Sequence, residues 1–233
     1  MAKIYGLFGA MTGKVADAVM VVRNGEQIVR KYQPVVSNPS TAKQVAVRAK
    51  LKLLSQLAAV FADVIAFRKV GNVSRRNIFT KKNYSLVTYA SDKAEFPYMN
   101  IDLTGGQLFF GDVTVTPTAA QNKVTVDIVE ASGFDKHTIA LFRIENDEFR
   151  QIGIQRVDGD VVSVDFSTPV PAAATFMAVA YGTRLNNDSA RARYNDIVAN
   201  VTPADVELEV ERQLNENDYT LSETSVATAT VQP

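Results

Sequence analysis

The chain reads as an α+β protein, with an N-terminal β-hairpin and long helix module followed by an immunoglobulin- or fibronectin-III-like β-sandwich. Three observations predict this. Asn24-Gly25 sits between two β-rich runs, a capped and broadly apolar helical pattern covers residues 41–67, and from about Asn100 the texture becomes short alternating runs.

The hairpin comes first. Val19–Arg23 and Glu26–Arg30 flank Asn24-Gly25. Asn-Gly is the preferred pair for a type I′ turn, because both central residues need positive φ. A loop punctuated by Pro34 and Pro39 follows, and then Thr41 and Gln44 form a T-x-x-Q capping box. Beyond it, at about 100° per residue, Val47, Leu51, Leu54, Leu57, Phe61, Val64 and Ile65 share one face. Ala49, Leu53 and Val60 widen that face to more than half the circumference, where an ordinary surface helix has a stripe of about 100°. A helix this apolar is expected to pack on two sides, one of them against another subunit. Val47, Leu51, Leu54, Leu57, Phe61 and Ile65 are therefore the candidate assembly interface. Ser74 can cap a second, shorter helix carrying Ile78, Phe79, Leu86 and Val87, before a boundary at Pro97 and a Gly105-Gly106 turn.

Seven short runs follow: Gln107–Thr116, Lys123–Glu130, Thr138–Glu145, Phe149–Val157, Val161–Phe166, Thr175–Tyr181 and Arg193–Val201. Turn-rich segments separate them, and Asp158-Gly159 reads as a second tight hairpin. Seven strands at this spacing are the pattern of an immunoglobulin-like sandwich. The Cys…Trp…Cys signature is missing, which favours the fibronectin-III-like variant. In "TPADVELEVERQ", Thr202, Pro203 and Asp205 look like a helix start, while Val206, Leu208 and Val210 alternate like a strand. The tail after it is polar and β-branched, and such tails are mobile unless a neighbour holds them. The expected divisions are a basic assembly module at 1–97, the sandwich at 98–201 and an acidic extension at 202–233.

The bulk composition limits the function classes. Hydrophobic residues make up 46% of 233 residues and charged residues 21%, as in globular proteins with a core. Without cysteine there is no disulfide and no thiolate metal site. No apolar run approaches the roughly 20 residues of a membrane span, so no membrane partner is expected. The opening residues lack the h-region and cleavage site of a signal peptide. The net charge of zero conceals a polarity. Residues 1–90 hold 15 Lys+Arg and 3 Asp+Glu, a net of +12, and residues 91–233 hold 10 and 22, a net of −12. Such asymmetry suits a polyanion, or a head-to-tail contact between copies.

Catalysis requires converging groups with tuned pKa values, and the sequence offers few. His137 is the single histidine, it stands beside a turn, and it reads as a solvated loop residue. A histidine metal site is excluded by that count. The carboxylates of "ENDE" (Glu145 to Glu148) and "DGD" (Asp158 to Asp160) fall at turns and lack the EF-hand spacing. "FGAMTGK" is too short for a P-loop. No enzyme, cofactor or metal is therefore expected. The basic half is more suggestive. Lys43, Arg48, Lys50 and Lys52 on the long helix, with Arg75, Arg76, Lys81 and Lys82 beside Phe79 and Tyr84, mix cations with aromatics as nucleic-acid surfaces do. No zinc finger, RRM signature or helix-turn-helix frames them. A third possibility is an adhesin that binds glycans or surfaces through the sandwich loops, "TRLNNDSARARYND" among them.

Three N-terminal segments carry a resemblance: "GLFGAMTGKVADAVMVVRNGEQIVR", "SNPSTAKQVAVRAK" and "NIFTKKNYSLVTYA". Their Gly-Lys-Val opening and Ser-Asn-Pro-x-Thr-x-x-Gln helix start resemble an uncharacterised family of gut Bacteroidota and the phages that infect them, which pairs such a segment with an immunoglobulin-like domain. The likeness covers about the first 90 residues and, in the β half, the architecture only. It implies a bacteriophage virion protein of a crAss-like or similar phage, assembled in the host cytoplasm: a capsid auxiliary, decoration or fibre-anchoring component. Its partners would be other virion proteins and further copies of itself, with incidental nucleic-acid contact.

Overall fold

The computed structural model describes residues 2–3, 12–23, 26–33, 40–68, 71, 73–129, 133–145, 148–215 and 217–231. The chain divides into two compact units, Met1–Val45 and Ala46–Pro233. This differs from the expected boundaries near 97 and 201, because the helical segment and the C-terminal tail share cores with the strands between them.

The first unit is a four-stranded antiparallel sheet of order β1-β4-β3-β2, from β1 (Ala2–Lys3), β2 (Gly13–Val15), β3 (Ala18–Arg23) and β4 (Glu26–Lys31). Arg23 opposes Glu26, so β3 and β4 pair in the predicted register. The Asn24-Gly25 turn, the Pro34–Pro39 loop and most of "FGAMTGK" lie outside the described residues. A second tight connection links β2 to β3, with Ala16 at φ 49°. Apolar pairs occupy both faces: Met20 opposite Val29 on one and Val21 opposite Ile28 on the other. Every residue of this unit whose burial is described is half-buried or exposed.

Helix α1 (Ala42–Val60) starts in the first unit and continues into the second. Its capping box forms as predicted: Gln44 N–H donates to Thr41 Oγ1 and Thr41 N–H to Gln44 Oε1, each at 3.4 Å. Turns over 61–64 end the helix earlier than the predicted Phe67. Ser74 caps α2 (Arg75–Asn83), its hydroxyl accepting from Asn77 N–H at 3.3 Å. Buried Asn83 ties α2 to the next segment, donating to the Asp102 carbonyl (2.8 Å) and accepting from Asp102 N–H (2.9 Å). A short hairpin, β5 (Thr88–Ala90) and β6 (Lys93–Glu95), lies between.

Two antiparallel sheets follow. One has order β11-β8-β7, from β7 (Asp112–Thr118), β8 (Lys123–Val129) and β11 (Ser163–Ser167). The other has order β10-β9-β12, from β9 (Lys136–Glu145), β10 (Glu148–Asp158) and β12 (Thr175–Leu185). Two later strands, β13 (Tyr219–Leu221) and β14 (Ser225–Thr230), also pair with β12. The sheets share a core of Val124, Val126, Val164 and Phe166 with Ile139, Leu141, Phe176 and Ala178. The opposite face of the larger sheet is also covered, with Ala140, Phe142, Met177 and Val179 packing beneath α1 and α2. Burial on both faces explains why "IALF" and "FMAVA" are continuous apolar runs rather than alternating ones.

Three sequence expectations are corrected. Arg193–Val201 is not a strand but most of helix α3 (Asp188–Asn200). Its cap is Asn187, whose Oδ1 accepts from Ala190 N–H at 2.7 Å, and its buried residues Ala190, Tyr194 and Ile197 recur at helical spacing. Asp158-Gly159 does not close a hairpin, since β10 and β11 lie in different sheets. Gly159 is required because a Cβ there would come within 1.7 Å of the Phe134 carbonyl oxygen. The segment 202–233 is not an extension. It forms α4 (Val206–Gln213), packed on α3 through Val206 and Val210, and then returns to the sheet as β13 and β14. Helix wins over strand at 206–213 because Val206 and Val210 bury together while Leu208 faces out at 49% exposure.

Candidate functional site

The predicted assembly residues separate into two groups. Leu54, Leu57, Phe61 and Ile65 are 0–3% exposed and belong to the core beneath α1 and α2. Phe61 packs edge-on against Phe142 of β9, with ring centroids 4.7 Å apart. These four are corrected as interface candidates: the protein's own sheet uses them. Val47 and Leu51 lie on the same stripe but are each 43% exposed. They remain available.

The predicted cations separate as well. Arg75 is engaged, its guanidinium on Glu211 at 3.1 Å and on the Ile65 carbonyl at 3.3 Å. Lys50 is half-buried, with its ammonium 5.6 Å from the centre of the Tyr84 ring. Lys43, Arg48 and Lys52 on α1, and Arg76, Lys81 and Lys82 on α2, are exposed. Arg76, Lys81 and Lys82 thus share one short helix, whereas Lys43 belongs to the other compact unit.

His137 is not a loop residue in solvent. It is fully buried at the start of β9, edge-on to Phe110 (5.2 Å between centroids). Its Nδ1 lies 3.3 Å from the Val161 carbonyl, which fits the tautomer protonated there. Burial lowers its pKa, against the Val161 carbonyl and the Asp160 carboxylate, which raise it. The imidazole is thereby held neutral, as a packing element.

Two features escape a reading of the sequence. The first is an ion pair between Arg156 Nη2 and Glu207 Oε1 at 3.1 Å, with side chains 3% and 8% exposed. Tyr181 Oη donates to the same Glu207 oxygen at 3.0 Å. Burial, then the Glu207 charge, pushes the Tyr181 and Tyr194 hydroxyls well above their ordinary range. The cluster fastens α4 to the sheet, with one carboxylate bound by one guanidinium and one phenol. The second is an open cleft of about 520 Å³ lined by Arg68, Thr104 to Leu108 and Tyr219 to Leu221. Arg68 stacks 3.9 Å above the Tyr219 ring and donates to the Asn215 carbonyl at 3.0 Å. Its guanidinium therefore serves as a strut holding the α4–β13 connection. A smaller apolar groove of about 270 Å³ runs between Leu53, Leu57 and Val60 of α1 and Tyr98 and Phe149.

No described helix is long and apolar enough to cross a membrane. The described surface has a basic start to α1 with exposed apolar residues, a basic second helix and an acidic second half. No protein-family model and no curated protein matches it.

Proposed function

We propose that the protein is a non-enzymatic virion structural component, a capsid auxiliary, decoration or fibre-anchoring protein, that works by protein–protein assembly. The observation carrying this reading is the first unit. A four-stranded sheet with apolar pairs on both faces has no described buried residue, and small sheets need a covered apolar face to be stable. A neighbouring molecule supplies that cover. The virion setting rests on the resemblance of the N-terminal segments to the Bacteroidota and phage family. Strand order supports the immunoglobulin-like, fibronectin-III-like reading of the other unit. The first, second and fifth strands (β7, β8, β11) make one sheet, and the third, fourth, sixth and seventh (β9, β10, β12, β14) make the other. Helices α3 and α4 are then an insertion between the last two strands. Mass spectrometry of purified virions tests the setting, and light scattering of the full chain against candidate capsid and tail proteins tests the mechanism. A chain absent from virions and inert toward every structural protein would sink the proposal.

The exposure of Arg76, Lys81 and Lys82 together on α2 favours one second reading, contact with packaged nucleic acid. Its signature is retention on DNA that falls steeply with salt. Retention unchanged after all three become Ser rules it out.

A further inference from the structure

Helix α1 and the turn that follows it carry a single apolar seam through Val47, Leu51, Leu54, Ala58 and Phe61, at alternating steps of four and three residues. Its lower part is closed: Leu54, Ala58 and Phe61 are 0–2% exposed on the protein's own sheet. Its upper part, Val47 and Leu51, continues the seam into solvent at 43% exposure each. A seam that is packed and then open on one continuous helix has the form of a half-used packing surface.

Charge decides what can cover it. Residues 27–62 contain no Asp or Glu, and Arg48, Lys50 and Lys52 border the open seam. A two-fold contact through this helix would set these cations against the same cations of the partner, and like charges across an interface cost several kcal/mol. The acidic half of the chain has the opposite character. Three of its exposed apolar residues stand beside exposed carboxylates: Val129 directly across a strand from Asp112, Val162 two residues from Asp160, and Leu208 three residues from Asp205. The totals of +12 and −12 cancel between copies as they do within one.

We infer that the Val47–Leu51 segment of α1 docks on the acidic half, residues 91–233, of a second copy of this chain. The contact is heterologous, so each copy uses one surface as donor and another as acceptor, and repetition builds a ring or a filament. The inference rests on the assembly reading above and names its partner.

The cysteine-free chain permits a clean test. Ser55→Cys places one exposed thiol a helical turn from Leu51. Labelled with a benzophenone maleimide, mixed with unmodified ¹⁵N-labelled full chain and irradiated, it should cross-link to ¹⁵N peptides from residues 91–233. Adding Arg48→Glu and Lys52→Glu to the labelled chain should cut that product by about tenfold or more, and raising the salt concentration should weaken it in parallel. Cross-links to residues 41–60 of the other copy would mean a two-fold contact and overturn the inference. So would the absence of any intermolecular product at concentrations where light scattering still shows a monomer. A monomer that nevertheless binds another virion protein would overturn this inference alone and leave the assembly reading standing.

Discussion

Leu51 and Leu54 are one helical turn apart on the same seam of α1, yet one is 43% exposed and the other fully buried. The residue type is identical and so is the local structure. The difference lies wholly in what stands opposite. Phe142, Met177 and Val179 lie in the core that closes over Leu54, while Leu51 has run past it. Amphipathic periodicity says which side of a helix will be covered, but not how far the cover reaches, because the cover comes from later segments scattered from Phe79 to Val179.

Five measurements break or sharpen that contrast. The largest effect should come from Phe61→Ala, which empties a site packed on Phe142 and Phe149. It should cost about 3–5 kcal/mol in chemical denaturation, and a loss below about 1 would mean that α1 is not seated on the sheet. Glu207→Ala should approach the same size, about 3–5 kcal/mol, because it strands Arg156 without a countercharge in the interior. If stability instead held, the α3–α4 pair would not depend on that anchor. Ser74→Ala removes the cap of α2 and should cost about 1 kcal/mol, measurable as a lower midpoint with an unchanged denaturant slope. The pH dependence from His137 should be a mild slope. Its folded pKa lies below the ordinary 6.5, so the unfolded chain takes up a proton first as pH falls. The stability it contributes is complete above about 6.5 and is lost as pH drops through the lower folded value. His137→Phe should flatten that part of a stability–pH curve, and a curve that keeps its shape would refute the buried neutral imidazole. Smallest of all, Leu51→Ala should change monomer stability by no more than about 0.5 kcal/mol. A loss as large as that of Phe61→Ala would show the open seam to be covered within the chain.

Much of the local architecture was legible. The β3–β4 register, the Thr41–Gln44 box and the Ser74 cap follow from short-range rules that residues within a few positions of each other can satisfy. Five of the seven expected strands stand close to their predicted bounds, and the first survives from Asp112 onward. The failures are long-range. Arg193–Val201 reads as a strand until Asn187 is recognised as a helix cap, with Ala190, Tyr194 and Ile197 on one helical face. His137 looked solvated because Phe110, the ring that packs edge-on to it, belongs to a distant segment of the chain. Glu207 is one acid among many in the expected acidic extension, and only Arg156, 51 residues away, shows that it is internal. The candidate assembly residues divided for the same reason: the sequence supplies the seam, and distant strands determine which part of it remains open.

The strand pairing of β12 has a consequence for the order in which the molecule can be built. β12 is central in its sheet, with β9 on one side and β14 on the other, and all of α3, α4 and β13 is synthesised between β12 and β14. During translation β9 can pair at once with β12, and β13 then takes its Thr183–Leu185 end, but the other edge of Thr175–Ala180 stays unpaired until Ser225–Thr230 emerges. An unpaired strand of sequence "TFMAVAY" is a template for any extended chain nearby. The two helices that arrive first, fastened by the buried Glu207, therefore stand where they can shorten the search of β14 for its place, turning a long loop closure into a short one.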